Sequence, residues 1–395
     1  MAKPDTKYLK AIDVLRAEIL GGKYSSAHPF PSIMGVSRRF AVSRPTAVKV
    51  FDRLKAEGLV CTRAGAGTFL TSGARSRLVG LMIPGISYSS EFFQPIVASL
   101  LRAAHVADYT VLMEGVWSPD SAENGREAVE VAARFIKRKV AGVIFQPLEY
   151  SENASAINAR TLAAFTRAGI PVVLLDGDIV TAPARSRYDL VSIDNVGAGE
   201  RLAAHLMDCG AKAIHFLLRA NWVHNVRNRA LGVRNAVLAN GLRWRPSNVV
   251  LADPLDVEAV RRVMARRPRP DAFVCENDVL AARLLKTLTA LGHRVPQDVR
   301  LAGFDDVLIA RLSSPALTTI RQPCDLIART AFDRLLSRIA RPQQEPLHLV
   351  PAAELVVRES TVAATGAHGP QNGNARAPKG KKTWCAKRSS AELTE

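Results

Sequence analysis

No apolar run in this chain of 395 residues approaches the roughly 20 residues that a membrane-spanning helix needs. Cysteine is scarce. Cys61, Cys209, Cys275, Cys324 and Cys385 are scattered, odd in number and without CxxC or Cys/His spacing. That argues against a disulfide framework or a zinc site and fits a reducing compartment. The first residues, MAKPDTKYLK, are polar and charged rather than a secretory apolar stretch. A cytoplasmic location with no membrane partner is therefore expected. No P-loop, GxSxG or HExxH pattern occurs, so neither enzymatic activity nor a bound cofactor or metal is expected.

What is present is a basic chain of ordinary apolar content, 48% hydrophobic and 23% charged, with a net charge of +18. The excess is unevenly placed. Residues 1–77 hold 14 Lys/Arg against 5 Asp/Glu, and residues 363–395 hold 6 against 2. A strongly cationic head on a nearly neutral body is the footprint of a nucleic-acid-binding module. The length itself implies more than one core.

In the head, Tyr8, Ile12, Leu15 and Ile19 recur on one helical face that ends at Gly21-Gly22. A short helix is expected over 32–39, then a break at Phe40-Ala41-Val42. A third helix follows from Ser43 to about Glu57, with Ser43 as N-cap and Pro45 in the first turn. Ala47, Val50, Phe51 and Leu54 form its inward face. Leu59 to Arg63, a turn at 64–67 and Thr68-Phe69-Leu70 read as a hairpin. Three helices and a hairpin make a winged helix-turn-helix over residues 1–71, followed by a polar linker at 72–77.

From Leu78 short apolar runs alternate with amphipathic stretches. The runs lie at 78–84, 110–113, 142–147, 171–176, 190–194, 213–218, 248–252, 272–275 and 299–305. Such alternation implies doubly wound parallel sheets, and residues 78–362 suffice for a two-lobed α/β domain. Ligands of such sheets sit beyond the carboxyl ends of the strands. Residues 363–395, rich in Gly, Ala, Pro and Lys, are expected to form a disordered basic tail.

A helix-turn-helix reads DNA with the first turn of its second helix while flanking groups hold phosphates. Here Arg44 can donate in bidentate fashion to guanine, Thr46 can meet a base or phosphate, and Lys49 lies one turn on. Ser32, Arg38 and Arg39 belong to the preceding helix, and Ser43 to the junction. Arg63, Gly65 and Gly67 sit where a wing could enter the minor groove. Pro31-Ser32, Val42-Ser43-Arg44-Pro45-Thr46, Leu54 to Val60 and Gly65 to Phe69 closely resemble the winged helix of the GntR family across residues 8–70. Two positions depart from the family. Ile33-Met34 stand where members have Glu-Arg, and Val48 stands where many carry arginine. Two arginines that contact DNA in the family are thus absent, and Val48 could instead pack on a thymine methyl.

A sugar site needs aromatic faces and bidentate or multi-acceptor groups for hydroxyls. Phe92, Phe93, Asp176, Arg229, Asn277 and Asp305 stand at or near strand ends as candidates; Asp278 and Asp306 read better as caps or turn formers. Trp222, before Arg229, could line a pocket or simply pack. The motifs Val191 to Gly199, Arg229-Ala230-Leu231-Gly232, Asn277-Asp278, Val295 to Val299, Gly303 to Asp306 and Leu317 to Ile320 resemble LacI/GalR repressors and their periplasmic-binding-protein-like relatives. That resemblance covers about 78–358. It implies that Arg229 and Asp305 bind adjacent hydroxyls and that Phe92 or Phe93 stacks on the sugar ring.

Together the resemblances imply a cytoplasmic, ligand-responsive transcription repressor. A homodimer would bind a pseudo-palindromic double-stranded DNA operator. The effector would be sugar-like, with a pentose as first candidate. The alternatives are an activator, a regulator answering to a purine or sugar phosphate, and a solute-binding protein without a DNA role. GntR heads also occur on aminotransferase-like bodies, but no body lysine stands in a suitable strand-to-turn setting for a Schiff base.

Overall fold

The computed structural model describes residues 6–20, 23–24, 29–57, 59–63, 67–70, 76–84, 91–115, 121–148, 153–180, 184–219 and 224–362. The expected tail at 363–395, most of the linker, Gly65 and Trp222 lie outside the described residues.

The head opens with helix α1 (Thr6–Leu20), followed by α2 (Ile33–Phe40) and α3 (Arg44–Ala56). Strands β1 (Val60–Arg63) and β2 (Gly67–Leu70) pair antiparallel, Val60 opposite Leu70 and Arg63 opposite Gly67. Capping explains both helix starts. The Ser32 hydroxyl accepts from Gly35 N–H at 3.1 Å, and the Ser43 hydroxyl accepts from Thr46 N–H at 3.3 Å. Pro45 falls in the first turn, where its missing N–H is not needed. Between them Ala41 takes φ 50, a left-handed turn that stops α2. Ala11, Ile12, Leu15 and Ile19 of α1 bury against Val36, Val50, Phe51 and Leu54. Phe30 adds an edge-on contact to Phe51 at 5.5 Å.

The body carries two six-stranded sheets. The first contains β3 (Leu78–Met82), β4 (Thr110–Leu112), β5 (Gly142–Phe145), β6 (Val172–Leu175) and β7 (Asp189–Val191), with helices α4 (Phe93–Val106), α5 (Ser121–Lys137) and α6 (Ala154–Arg167). The second follows α7 (Asn195–Asp208): β8 (Ile214–Leu218), α8 (His224–Ala239), β9 (Val249–Leu251), α9 (Val257–Met264), β10 (Ala272–Cys275), α10 (Asp278–Ala290), β11 (Arg300–Asp305), α11 (Leu308–Leu312) and β12 (Thr318–Arg321). The chain then returns through α12 (Cys324–Ala340) and β13 (His348–Leu349) to the first sheet before ending the second with β14 (Glu354–Val356). The orders are β4-β3-β5-β6-β7-β13 and β9-β8-β10-β11-β12-β14. Every pairing in the two sheets is parallel except β12 with β14. This is the doubly wound, two-lobed architecture that the alternation of apolar runs implies.

Each of the nine runs overlaps a strand. Burial on both faces, as in Val172–Leu175 and Ala272–Cys275, makes the central runs continuous rather than alternating, while the edge strands β4 and β9 are partly exposed. Three strands of the body have no such run. β12 is buried yet polar at Thr318 and Thr319, whose hydroxyls are hydrogen-bonded to Thr361 and Asp278. The edge strands β13 and β14 are short and only partly buried, so they leave no apolar block in the sequence.

The chain crosses between the lobes three times, at 192–194, 322–323 and 350–353. The return through α12 is anchored by a buried ion cluster. Asp189 accepts from Arg334 at 2.8 Å and from Arg338 at 2.8 and 3.0 Å, and also caps Leu347 N–H at 2.8 Å. The guanidinium groups hold Asp189 below the usual carboxylate range despite its burial. No helix among the described residues is long and apolar enough to cross a membrane.

Ser43→Ala removes the cap of α3 and is expected to cost the head about 1 kcal/mol. Urea unfolding followed by circular dichroism checks this, with the loss confined to the transition that melts residues 6–70.

Candidate functional site

The strand ends that the topology brings together carry acidic and amide groups from both lobes. Asp176 follows β6 in the first lobe, and Gln146 follows β5 beside it. In the second lobe Arg219 follows β8, Glu276 follows β10 and Asp305 ends β11. Arg229, on α8, is the cation at the centre. It is 4% exposed, and its Nε donates to Asn195 Oδ1 at 2.9 Å while Nη1 donates to the Glu276 carbonyl at 2.7 Å. Its Nη2 stands 3.6 Å from Asp305 Oδ1, and its guanidinium carbon lies 4.5 Å from the centre of the Phe304 ring. Asp176 accepts from Asn225 Nδ2 at 2.7 Å, a bond that joins the first lobe to α8 of the second.

Two glycines let this happen. A Cβ on Gly199 would sit 2.2 Å from the Arg229 carbonyl oxygen, and one on Gly232 would sit 2.0 Å from that of Val196. Helices α7 and α8 therefore touch backbone to backbone. That contact places Asn195 at the first turn of α7 within reach of Arg229.

The backbone is strained where the acids stand. Asp176 has φ 68, Asp305 φ 104 and Asp306 φ 53, values that cost energy for a residue with a Cβ and that concentrate at functional sites. Burial, opposed by Arg229 and reinforced by Asp305, pushes the Asp176 carboxyl up to about 6. Burial also raises Asp305, against the pull of Arg229 and Gln322. Cys324 is pushed up to about 12 by burial and by the charges of Asp305 and Asp176. Its thiol lies 3.9 Å from the Phe92 carbonyl oxygen, so the start of α12 and the start of α4 meet beside both acids.

The six expected ligand residues divide. Asp176, Arg229 and Asp305 converge. Phe92 and Phe93 pack edge-on at 4.8 Å and are each 8% exposed, so most of both rings belongs to the core between the lobes. Asn277 Oδ1 caps α10 by accepting from Leu280 N–H at 3.0 Å. Its neighbour Asp278 is fully buried and accepts from Thr319 Oγ1 at 2.6 Å and from Val307 N–H at 3.1 Å. Asp306 is buried, yet Arg321 and Arg358 hold its carboxyl below the usual range, and its φ of 53 makes it a turn former inside an ion cluster.

Sequence reasoning passed over several residues at these strand ends, Gln146 and Arg219 among them. Glu276 is fully buried and accepts from Arg219 Nε at 2.6 Å and Arg219 N–H at 3.0 Å. Asn195 and Asn225 orient Arg229 and Asp176, and Gln322 donates to Asp305 at 2.8 Å. Glu276 stands at once after an apolar run, a signal that could have been used. Gln322 sits in a crossover with no periodic context.

In the head, Arg39 is engaged. It donates to both Glu18 oxygens, at 2.5 and 2.7 Å, and lies over Phe40. Arg38, Arg44 and Lys49 are exposed and have no ion pair among the described residues. Thr46 shares a hydrogen bond with Ser43 at 2.8 Å, and Val48 and Met34 are exposed on the same segment. Arg63 and Gly67 pair across the hairpin. The side chain of Arg63 and the turn holding Gly65 lie outside the described residues.

Comparison with known proteins agrees with this division. Residues 7–70 match the model of bacterial regulatory proteins of the gntR family, and residues 203–361 match a periplasmic binding protein-like domain. The chain joins a GntR-type head to a periplasmic-binding-protein-like body. It is 32% identical over 196 residues to the HTH-type transcriptional regulator CelR of Thermobifida fusca, covering 49% of this chain and 57% of that relative. It is 27% identical over 289 residues to the HTH-type transcriptional repressor PurR of Shigella sonnei, covering 72% of this chain and 80% of the repressor. A solved transcriptional regulator CelR–cellobiose complex superposes with TM-score 0.62 at 24% identity, covering 91% of this chain and all of that one.

Gly232→Ala gains about 1 kcal/mol of helix propensity but forces a methyl onto a backbone oxygen. The clash wins, and a net loss of about 2 kcal/mol or more is expected in the urea midpoint of the body. Asp176 gives a pH signature. A buried acid raised to about 6 holds its proton in the folded state while the unfolded state releases it near the ordinary value. Its contribution therefore worsens as pH rises from about 4 to about 6. Asp176→Asn is expected to abolish that part of the ligand-free melting-temperature decline between pH 4.5 and 7. An unchanged decline would remove Asp176 as its source.

Proposed function

We propose that this chain is a ligand-responsive transcription repressor. Its head holds half of a pseudo-palindromic operator, its body binds a small sugar-like effector between the lobes, and the working unit is a homodimer. The observation that carries the reading is the cleft. A buried, oriented guanidinium stands beside one carboxylate from each lobe, at the carboxyl ends of both sheets. Groups so placed match the hydroxyl pairs of a sugar, since a guanidinium donates and a carboxylate accepts in a plane.

At the other end of the chain, the surface of α2 and α3 presents Arg38, Arg44 and Lys49 uncompensated. Phosphate contact is the physical use for such a face. Arg44 opens α3 and is the base reader, with Thr46 and Lys49 beside it. Arg39 has a competing partner in Glu18 and contributes mainly to holding α2 on α1. Ser32 and Ser43 can add a hydroxyl to phosphate only while capping their helices. The wing positions Arg63, Gly65 and Gly67 complete the proposed surface. Residues 1–71 form the DNA-binding unit and 78–362 the effector and dimerisation unit.

The effector reading draws on the CelR complex, which holds cellobiose, and on the pairing of the two domain types, for which a pentose is the first candidate. Two substitutions separate the halves. Arg44→Ala is expected to abolish specific operator binding, by about 2 kcal/mol or more if it reads a guanine, while ligand-induced thermal stabilisation persists. Asp305→Ala is expected to do the reverse. Electrophoretic mobility shift on upstream duplexes and thermal-shift titration give both readouts. Retention of ligand affinity in Asp305→Ala would overturn the cleft assignment.

A further inference from the structure

We infer that Val48 is a specificity-determining residue of the head: it selects a thymine in each operator half-site by packing on the 5-methyl group, about two base pairs from the base that Arg44 reads. The inference deepens the DNA-binding reading above and rests on it.

Four large apolar side chains of the head are exposed among the described residues, Leu9, Met34, Val48 and Phe69. Leu9 lies on α1 and Phe69 on β2, whereas Val48 lies on α3, the helix that enters the groove in a helix-turn-helix. The inward face of α3 is complete without it, since Ala47, Val50, Phe51 and Leu54 are all buried. Val48 itself is 37% exposed. Arg44 stands one turn before it and Pro45 three residues before it, so both are its neighbours on the helix surface. Lys49 follows, and all three are exposed. The apolar spot is thus framed by cations that suit phosphate. One turn further on, Asp52 is exposed and stands 3.8 Å from Lys55. Its negative charge confines close approach to the duplex to the first half of α3.

A valine side chain has neither donor nor acceptor, so it cannot read a base edge by hydrogen bonding. In the major groove guanine and adenine present polar groups and cytosine its amine, while thymine alone adds a methyl. Seating Val48 on a polar edge strips water from that edge and returns nothing. Seating it on the methyl removes apolar surface from water on both sides. A β-branched residue also holds essentially one rotamer in a helix, so little freedom is lost on docking. Met34, exposed in the first turn of α2, is a poorer gauge. Its side chain is flexible, and the first helix of the motif crosses the backbone instead of entering the groove. Four residues of helix rise about 6 Å, close to two base-pair steps of about 3.4 Å. That rise sets the separation between the methyl under Val48 and the base under Arg44.

The test uses the full-length protein and the duplex it enriches from a randomised pool, with and without candidate effectors. Each thymine of the half-site is replaced in turn by uracil, in both half-sites, which deletes the methyl and keeps the pairing. Affinity is read by fluorescence anisotropy at fixed salt. One position is expected to lose about threefold per half-site, hence about tenfold in all, as one apolar carbon no longer leaves water in each. In Val48→Ala, an exposed change toward a better helix former, the uracil penalty at that position disappears. In Met34→Ala it persists. If no thymine responds to loss of its methyl, or the penalty survives in Val48→Ala, or Met34→Ala removes it instead, the assignment is overturned while the head remains a DNA-binding unit. If no duplex is enriched even at low ionic strength, the DNA-binding reading itself falls and takes this inference with it.

Discussion

The body is organised around a guanidinium that has almost no contact with water. Burying Arg229 is affordable only because each face of the group is answered: Asn195 from the start of α7, the Glu276 carbonyl from the end of β10, Asp305 at 3.6 Å and the Phe304 ring beneath it. Those partners come from three separate elements, since Phe304 and Asp305 share β11. The close approach of α7 and α8 at Gly199 and Gly232 exists in the service of the same arrangement, because a helix pair held apart by side chains would leave Asn195 short of Arg229. The left-handed backbone at Asp305 turns its carboxylate back from the strand end toward this cation.

A similar logic, inverted, governs the head. There some cations are paired and others are not. Glu18 sits 16% exposed between α1 and α2 and takes Lys23, Tyr24 and Arg39 onto one carboxylate. Glu57 does the same for Arg16 and Arg53. These pairs draw part of the head's positive charge into holding three short helices together. Arg38, Arg44 and Lys49, on the helix pair whose first turns are set by Ser32 and Ser43, are exposed with no ion pair among the described residues. The distinction between structural and available arginine is geometric. It could not be drawn from Arg38-Arg39 as adjacent letters.

Much of the architecture was legible because burial leaves a mark in the sequence. A strand covered on both faces is usually apolar throughout, and each of the nine runs overlaps a strand. Of the strands without a run, β12 is buried through hydrogen-bonded Thr318 and Thr319, and β13 and β14 are edges whose pairing comes from the chain's return through α12. Arg229 and Asp305 were legible through their motifs, and Asp176 through its place after an apolar run. Asn195, Asn225, Gln146 and Gln322 were not, because an amide that orients a neighbour has no periodic context and no preferred spacing. Phe92 and Phe93, expected as a stacking platform, are each 8% exposed and mostly fill the core where α4 meets α12, a burial that aromatic letters after a strand do not reveal.

The positions of these amides bear on how occupancy could reach the rest of the molecule. A ligand shifts a conformational balance only through contacts that differ between the two states. Three crossovers join the lobes, and two of them adjoin the site: Asn195 follows the crossover at 192–194, and Gln322 lies within the one at 322–323. Asn195 orients Arg229 and Gln322 donates to Asp305, so a molecule seated on Arg229 and Asp305 acts within one hydrogen bond of two of the three connections. Asn225 bridges the lobes by donating to Asp176. An effector that supplied its own donor to Asp176 would exchange that bridge for one running through itself. Closure would then depend on the ligand's shape and on how many donors it carries rather than on the protein's own amide. Such an exchange would need no separate hinge helix, because Asn195 and Gln322, which hold Arg229 and Asp305, sit at the joints.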